Sequence, residues 1–198
     1  ASTFLKGRKQ YGKIYVNNTD NYRRGQVLLS MHAEANALIE KFPQLHYTDK
    51  KGWVCPDKHD TKLNMLVIRT NYEGNFVSSR PCYNCLDMMK AVGIKKIFYT
   101  VSDKIISEKV SDMISINSSS VIKKVERENN LAPMNDIDYY RELLIKKLPK
   151  QINRINLTNF LTYNFNDVLP DYNYKISNNI VKFYDINNNN FSSCEILK

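Results

Sequence analysis

Two short polar segments, each at the head of an apolar helical pattern, constrain this chain more than any other feature. The first opens "MHAEANALIE", in which Ala35, Leu38 and Ile39 recur at the spacing of one helical face and His32 and Glu34 stand at the entrance. The second is "PCYNC" at Pro81 to Cys85, after which Cys85, Leu86, Met89 and Val92 form a stripe and Gly93 is a natural C-terminal stop. Taken singly, each has an ordinary explanation. His32 caps or packs while Glu34 complements the positive helix end, and a lone Cys-x-x-Cys is half a zinc knuckle, a redox dithiol or coincidence. Taken together, they supply His32, Cys82 and Cys85, a nitrogen and two sulfurs of the kind that hold zinc.

A second Cys-x-x-Cys is missing, which disfavours a four-cysteine structural site. Three protein ligands leave the fourth zinc position to water, the arrangement of a catalytic centre. Both segments place their ligands at helix starts, where the dipole favours the metal-binding thiolate. Pro81 suits a first turn, where its missing N–H has no partner to lose. Glu34 lies two residues from a ligand, and a carboxylate beside an activated water can accept its proton and pass protons on to a substrate nitrogen and a leaving amine. Zinc brings the pKa of such a water down to roughly 7. H-x-E followed by P-C-x-x-C is the pattern of zinc-dependent deaminases.

"HAEANAL" and "SSRPCYNCLDMMKAVGIKKIFYT" resemble the cytidine deaminase-like superfamily, over a stretch running from Gly12 to Met113. The resemblance implies an α/β fold, a three-layer α/β/α arrangement around a central mixed sheet, with His32, Cys82 and Cys85 as zinc ligands and Glu34 as the catalytic proton shuttle. It implies base contact by Ala33 through its backbone N–H, and a hydrogen bond from Asn21 to a sugar or base. Arg80 and Trp53 complete the expected substrate-binding set. The implied activity is hydrolytic deamination of cytosine to uracil, in single-stranded nucleic acid or a nucleotide. The alternative is a catalytically inactive deaminase-fold protein that keeps the zinc and acts by binding nucleic acid or a partner; an intact Glu34 argues against it. The separation of His32 from Cys82 is longer than in many members, because of the segment from Pro43 to Lys62. A two-strand hairpin about "SDK" places the chain nearer the branch whose last two core strands run antiparallel.

A chain of 198 residues is long enough to bury a core without disulfides. The balance of 29 Lys and Arg against 20 Asp and Glu, a formal charge of +9, favours polyanionic partners. Basic and aromatic residues interleave around the motifs: Tyr11, Lys13, Tyr22, Arg23, Arg24, Tyr47, Lys50, Lys51 and Trp53. That mixture suits a single strand, whose phosphates meet cations while its bases stack on rings. Four cysteines at uneven spacing suit a reducing, cytoplasmic setting. No apolar run is of membrane-spanning length and no signal peptide is evident, so the expectation is an intracellular protein with no membrane partner. Association into a homo-oligomer is left open.

The expected organisation is a zinc-dependent deaminase-like domain over 1–131 and a C-terminal α+β extension over 132–198 packed on it. The leading Ala-Ser-Thr reads as a candidate tag remnant. "GKIYV", "LNMLVIRT" and "IKKIFYTV" read as strands, "QVLLS" as a strand or the approach to the helix, and Pro43 to Lys62 as a polar loop. His46, Cys55 and His59 in that loop read as solvent-facing residues rather than a second metal site, and Trp53 either stacks on a base or anchors the loop. "NDIDYYRELLIKKLPK" reads as a helix capped by Asp136 with Ile137, Tyr140, Leu144 and Leu148 on one face, followed by short strands and an Asn-rich loop at Asn187 to Asn190.

Overall fold

The structure, a computed structural model, describes residues 1–7, 9–16, 32–56, 63–119, 123, 126, 133 and 135–197. The chain is mixed α/β and divides into two compact units, Ala1–Ser111 and Asp112–Lys198. Within the first unit the elements run β1 (Ser2–Lys6), β2 (Lys9–Tyr15), α1 (Ala33–Lys41), β3 (His46–Thr48), β4 (Gly52–Val54), β5 (Leu63–Val67), α2 (Tyr83–Val92), β6 (Lys96–Val101) and β7 (Lys104–Lys109). Five strands form one sheet in the order β2-β1-β5-β6-β7. The pairing is antiparallel except between β5 and β6, which run parallel with α2 in their connection. A parallel pair needs such a crossover, whereas β6 and β7 are joined by Ser102 and Asp103 alone. Ser102 takes a φ of 47° there, the left-handed conformation that a two-residue hairpin turn calls for. The hairpin read from "SDK" is present.

Apolar alternation explains the central strand. Leu63, Met65 and Val67 of β5 are buried, while Asn64 and Leu66 are only partly covered. The first strand is a correction: Ser2 and Thr3 belong to β1, both are buried, and β1 pairs with β2 on one side and β5 on the other. Phe4 fixes it in the core, meeting Tyr15 and Phe42 edge-on at ring separations of 6.1 and 6.2 Å. The leading residues are therefore part of the sheet. On α1 the buried set is Ala33, Glu34, Ala35, Ala37 and Leu38, and Ile39 faces solvent. Pro43 follows Phe42, the last residue before the helix is broken. The segment after it is no bare loop, because β3 and β4 pair as a short hairpin. "QVLLS" lies outside the described residues.

The second unit holds α3 (Asp136–Lys147), β8 (Gln151–Asn153), α4 (Arg154–Phe160), a π-helical turn (Leu161–Phe165), α5 (Asn166–Val168), β9 (Asn173–Ser177), β10 (Ile180–Tyr184) and β11 (Asn190–Leu197). The strands are ordered β8-β11-β10-β9. Phe160, Phe165 and Phe183 pack ring against ring at 5.1 to 6.3 Å and form its apolar centre. The second unit begins at Asp112, and hydrogen bonds tie Ile116 and Ser118 into it. Ile116 N–H donates to Asn164 Oδ1 at 2.8 Å, and Tyr139 Oη donates to Ser118 Oγ at 3.0 Å. The Asn-rich turn also has a defined role: the N–H groups of Asn187 and Asn189 both donate to Asp185 Oδ1 at 2.9 Å. These backbone bonds, that of Asn189 first, hold the Asp185 carboxyl below the usual range.

The cap of α3 is Asn135, whose Oδ1 accepts from Asp138 N–H at 2.8 Å, and not Asp136. Its buried face is Tyr139, Tyr140, Leu143 and Leu144, with Ile137 exposed. Asn135→Ala is expected to cost about 1 kcal/mol, read as a lower denaturant midpoint with unchanged slope. Asp136→Ala keeps the cap and removes the ion pair with Lys123, so its midpoint should fall by less. Among the described residues, no helix is long and apolar enough to cross a membrane.

Candidate metal centre

His32 and Cys82 occupy equivalent places, each the N-cap of its helix. Both have extended backbone angles, φ −63° and ψ 148° for His32, φ −66° and ψ 163° for Cys82. Each starts its helix with its carbonyl, accepting from Asn36 N–H at 2.9 Å and from Leu86 N–H at 3.0 Å. Neither side chain caps. The imidazole and the thiol instead turn toward each other, and Cys85 joins them from the first turn of α2.

His32 Nδ1 lies 3.5 Å from Cys82 Sγ and 3.5 Å from Cys85 Sγ, and the three donor atoms all fall within 4.8 Å of one another. Zinc bonds of about 2.3 Å to sulfur and about 2.0–2.1 Å to nitrogen, at the tetrahedral angle, set nitrogen and sulfur about 3.5 Å apart. The donor set and spacing therefore fit a metal ion, held by three side chains with a fourth position left over. Both cysteines are buried and His32 is half-buried. Contact with Cys85 and then with His32 draws the Cys82 thiol well below its ordinary range, and the same contact plus burial pushes Cys85 well above it. The hydrogen bond with Cys82 raises His32, against burial and the positive charge of exposed Arg69.

Glu34 sits one residue inside α1 and is only 7% exposed. Burial raises its carboxyl above the usual range. A polar side chain at a helix entrance is free to point out of the packing. That of Glu34 points in, because the first turn of α1 is covered and its buried face includes Ala33 and Ala35 as well.

The segment ahead of Cys82 is held by groups of which sequence reasoning singled out only Arg80, and that for another role. Ser79 N–H donates to Thr100 O at 2.9 Å, Ser79 Oγ donates to Val67 O at 2.8 Å, and Thr100 N–H donates to Ser79 Oγ at 2.8 Å. One serine thus links β5 and β6 to the approach of α2. Arg80 donates to Tyr99 Oη at 2.5 Å and to Glu108 Oε1, and Tyr99 Oη donates to the same carboxylate. The Arg80 and Glu108 side chains are 2% and 0% exposed. Burial raises the Tyr99 phenol far above its usual range, so it remains a donor. The only sequence signal for this network was the short hydroxyl run before Arg80.

The expected substrate contacts are distributed unevenly. Ala33 is buried as the first residue of α1, beside the ligands. Arg80 is a correction, since its guanidinium is turned into the protein toward Glu108 and Tyr99 rather than presented to a ligand. Trp53 is partly covered on β4, and its Nε1 donates to Asn84 Oδ1 at 2.8 Å. Asn84 stands between Cys82 and Cys85, so the hairpin is fastened to the ligand turn itself. Asn21, Tyr22, Arg23, Arg24 and His59 lie outside the described residues. His46 is exposed, whereas Cys55 is buried and not solvent-facing. Exposed Tyr11 lies beneath Lys41 and Lys6, with the ammonium groups 4.6 and 5.9 Å from its ring centroid. Compared with protein-family models, with curated proteins and with solved structures, the chain matches none of them.

Proposed function

We propose that this chain is a zinc-dependent hydrolytic deaminase of the cytidine deaminase-like superfamily, converting cytosine to uracil in single-stranded nucleic acid or a nucleotide. The observation that carries this reading is the buried Glu34 carboxyl, near enough to the His-Cys-Cys donor set to interact electrostatically with His32, Cys82 and Cys85. A metal with a purely structural role has no need of that carboxylate, and burying one costs stability. His32, Cys82 and Cys85 would hold the ion. Zinc bound there supplies a water acidic enough to act as a nucleophile near neutral pH. Glu34 takes up a proton at its carboxylate and delivers protons to the ring nitrogen and to the departing amine. Ala33, buried as the first residue of α1 next to His32, would meet the base through its backbone N–H. The mixed five-strand sheet with an antiparallel last pair is compatible with the superfamily, although fold alone does not fix activity.

Elemental analysis together with an ammonia-release assay over cytidine, cytidine nucleotides and cytosine-containing single strands tests the reading. Equimolar zinc and turnover of at least one of these substrates are expected, and Cys82→Ser should lose both. Full zinc in that variant overturns the ligand assignment. A zinc-loaded protein that releases no ammonia from any of the panel favours the non-catalytic alternative.

A further inference from the structure

We propose that the β3–β4 hairpin is a binding arm for single-stranded nucleic acid: one base stacks on Tyr47, which Trp53 supports edge-on, while adjoining phosphates meet Lys50 and Lys51. This deepens the deaminase reading and rests on it for the fate of the strand's next base. Tyr47 lies directly across from Trp53 in the hairpin register, so the two rings share one face. They meet edge-to-face, centroids 5.7 Å apart at 76°. Anchoring the hairpin requires only Trp53, through its bond to Asn84. Tyr47 nevertheless remains 60% exposed, an aromatic surface that packing does not use.

The turn between the strands presents Lys50 and Lys51, both exposed, against one exposed carboxylate, Asp49. It is a built turn: Lys51 N–H donates to Thr48 Oγ1 at 3.3 Å, Thr48 Oγ1 donates to Gly52 O at 3.2 Å, and Gly52 takes a φ of 69°. Cations beside a ring on a preformed turn match a phosphate-linked base, and the chain's charge of +9 has the complementary sign. Asn84 carries the decisive placement. It fixes Trp53 within one helical turn of Cys82 and Cys85, close to the metal donors but on a separate element. A base on the arm and another at the metal belong to two linked nucleotides, which a mononucleotide does not offer. The segment that lengthens the interval between His32 and Cys82 is thereby given a use.

Trp53 is the only tryptophan, so its fluorescence reports on the arm alone. The full chain is titrated with a short thymidine-only DNA and a uridine-only RNA, neither of which carries an amino group to remove. Saturable quenching is expected, and the tighter of the two identifies the sugar preferred. Tyr47→Ala should weaken binding about 5- to 100-fold. Lys50→Ala with Lys51→Ala should flatten the salt dependence by up to about 1.4 in log–log slope. Thymidine monophosphate at equal base concentration should leave the signal unchanged. Absence of quenching by both oligomers at low salt overturns the proposal, as does equal quenching by the monophosphate or unaltered binding by the exposed-residue variants. A protein that binds the oligomers through the arm yet never deaminates cytosine refutes the deaminase reading and leaves the arm standing.

Discussion

Glu34→Ala is expected to retain the metal and the fold while turnover falls by about 10²–10⁴-fold, toward the upper end because one carboxylate serves several proton transfers. The fold should survive because the substitution removes a buried carboxyl and contributes nothing unfavourable to α1. The helix already buries Ala33, Ala35 and Ala37, and alanine is the best helix former. The metal should survive because the donor set is His32, Cys82 and Cys85, none of which is altered. Single-turnover ammonia release measured alongside zinc content separates the two effects. Unchanged turnover at full metal occupancy shows that Glu34 is not the proton carrier. Loss of zinc in proportion to activity assigns Glu34 to the ligand set instead.

The second large effect lies in the support rather than the centre. Glu108→Ala should cost about 3–5 kcal/mol of folding stability, because it leaves the Arg80 guanidinium charged at a 2% exposed position without its carboxylate. Arg80 precedes Pro81 and Cys82, so the same variant should bind zinc more weakly as the approach to α2 loosens. Replacing the pair in a Tyr99→Phe background, Arg80→Met with Glu108→Leu, removes the stranded charge without orphaning the buried phenol hydroxyl and should recover most of the stability. Denaturant midpoints of Arg80→Met, Glu108→Leu and their combination in that background close the cycle. A single variant within about 0.5 kcal/mol of the parent marks the pair as an ordinary surface contact.

Several elements were legible because their signals are local. The helix after Cys82 keeps its stripe of Cys85, Leu86, Met89 and Val92 in the core and ends at Gly93 with φ 81°, the left-handed stop that glycine supplies. The hairpin about Ser102 and Asp103 follows from a connection too short for a crossover. Signals that local reading misplaced have identifiable causes. Strands of three residues, as in β3 and β4, are too short to show alternation. Asn135 and Asp136 are both good caps, and only the geometry of the first turn chose Asn135. The Ser2–Lys6 strand is masked by its polar letters, since Ser2 and Thr3 are buried by strands that lie on both sides of it.

By itself the sequence determined which side chains can hold a metal and that they lie at the starts of two helices, because donor identity and helix entry are properties of a few consecutive residues. Only the tertiary structure decided that they meet. His32 and Cys82, fifty residues apart, come within 3.5 Å through two helices whose N-caps leave their side chains free of capping. It also decided the direction of three polar side chains. Glu34 is buried beside the donors, Arg80 is turned inward to Glu108, and Trp53 is tied to Asn84 with Tyr47 left exposed. Direction depends on what covers each residue from elsewhere in the chain, and no spacing along one segment contains that information.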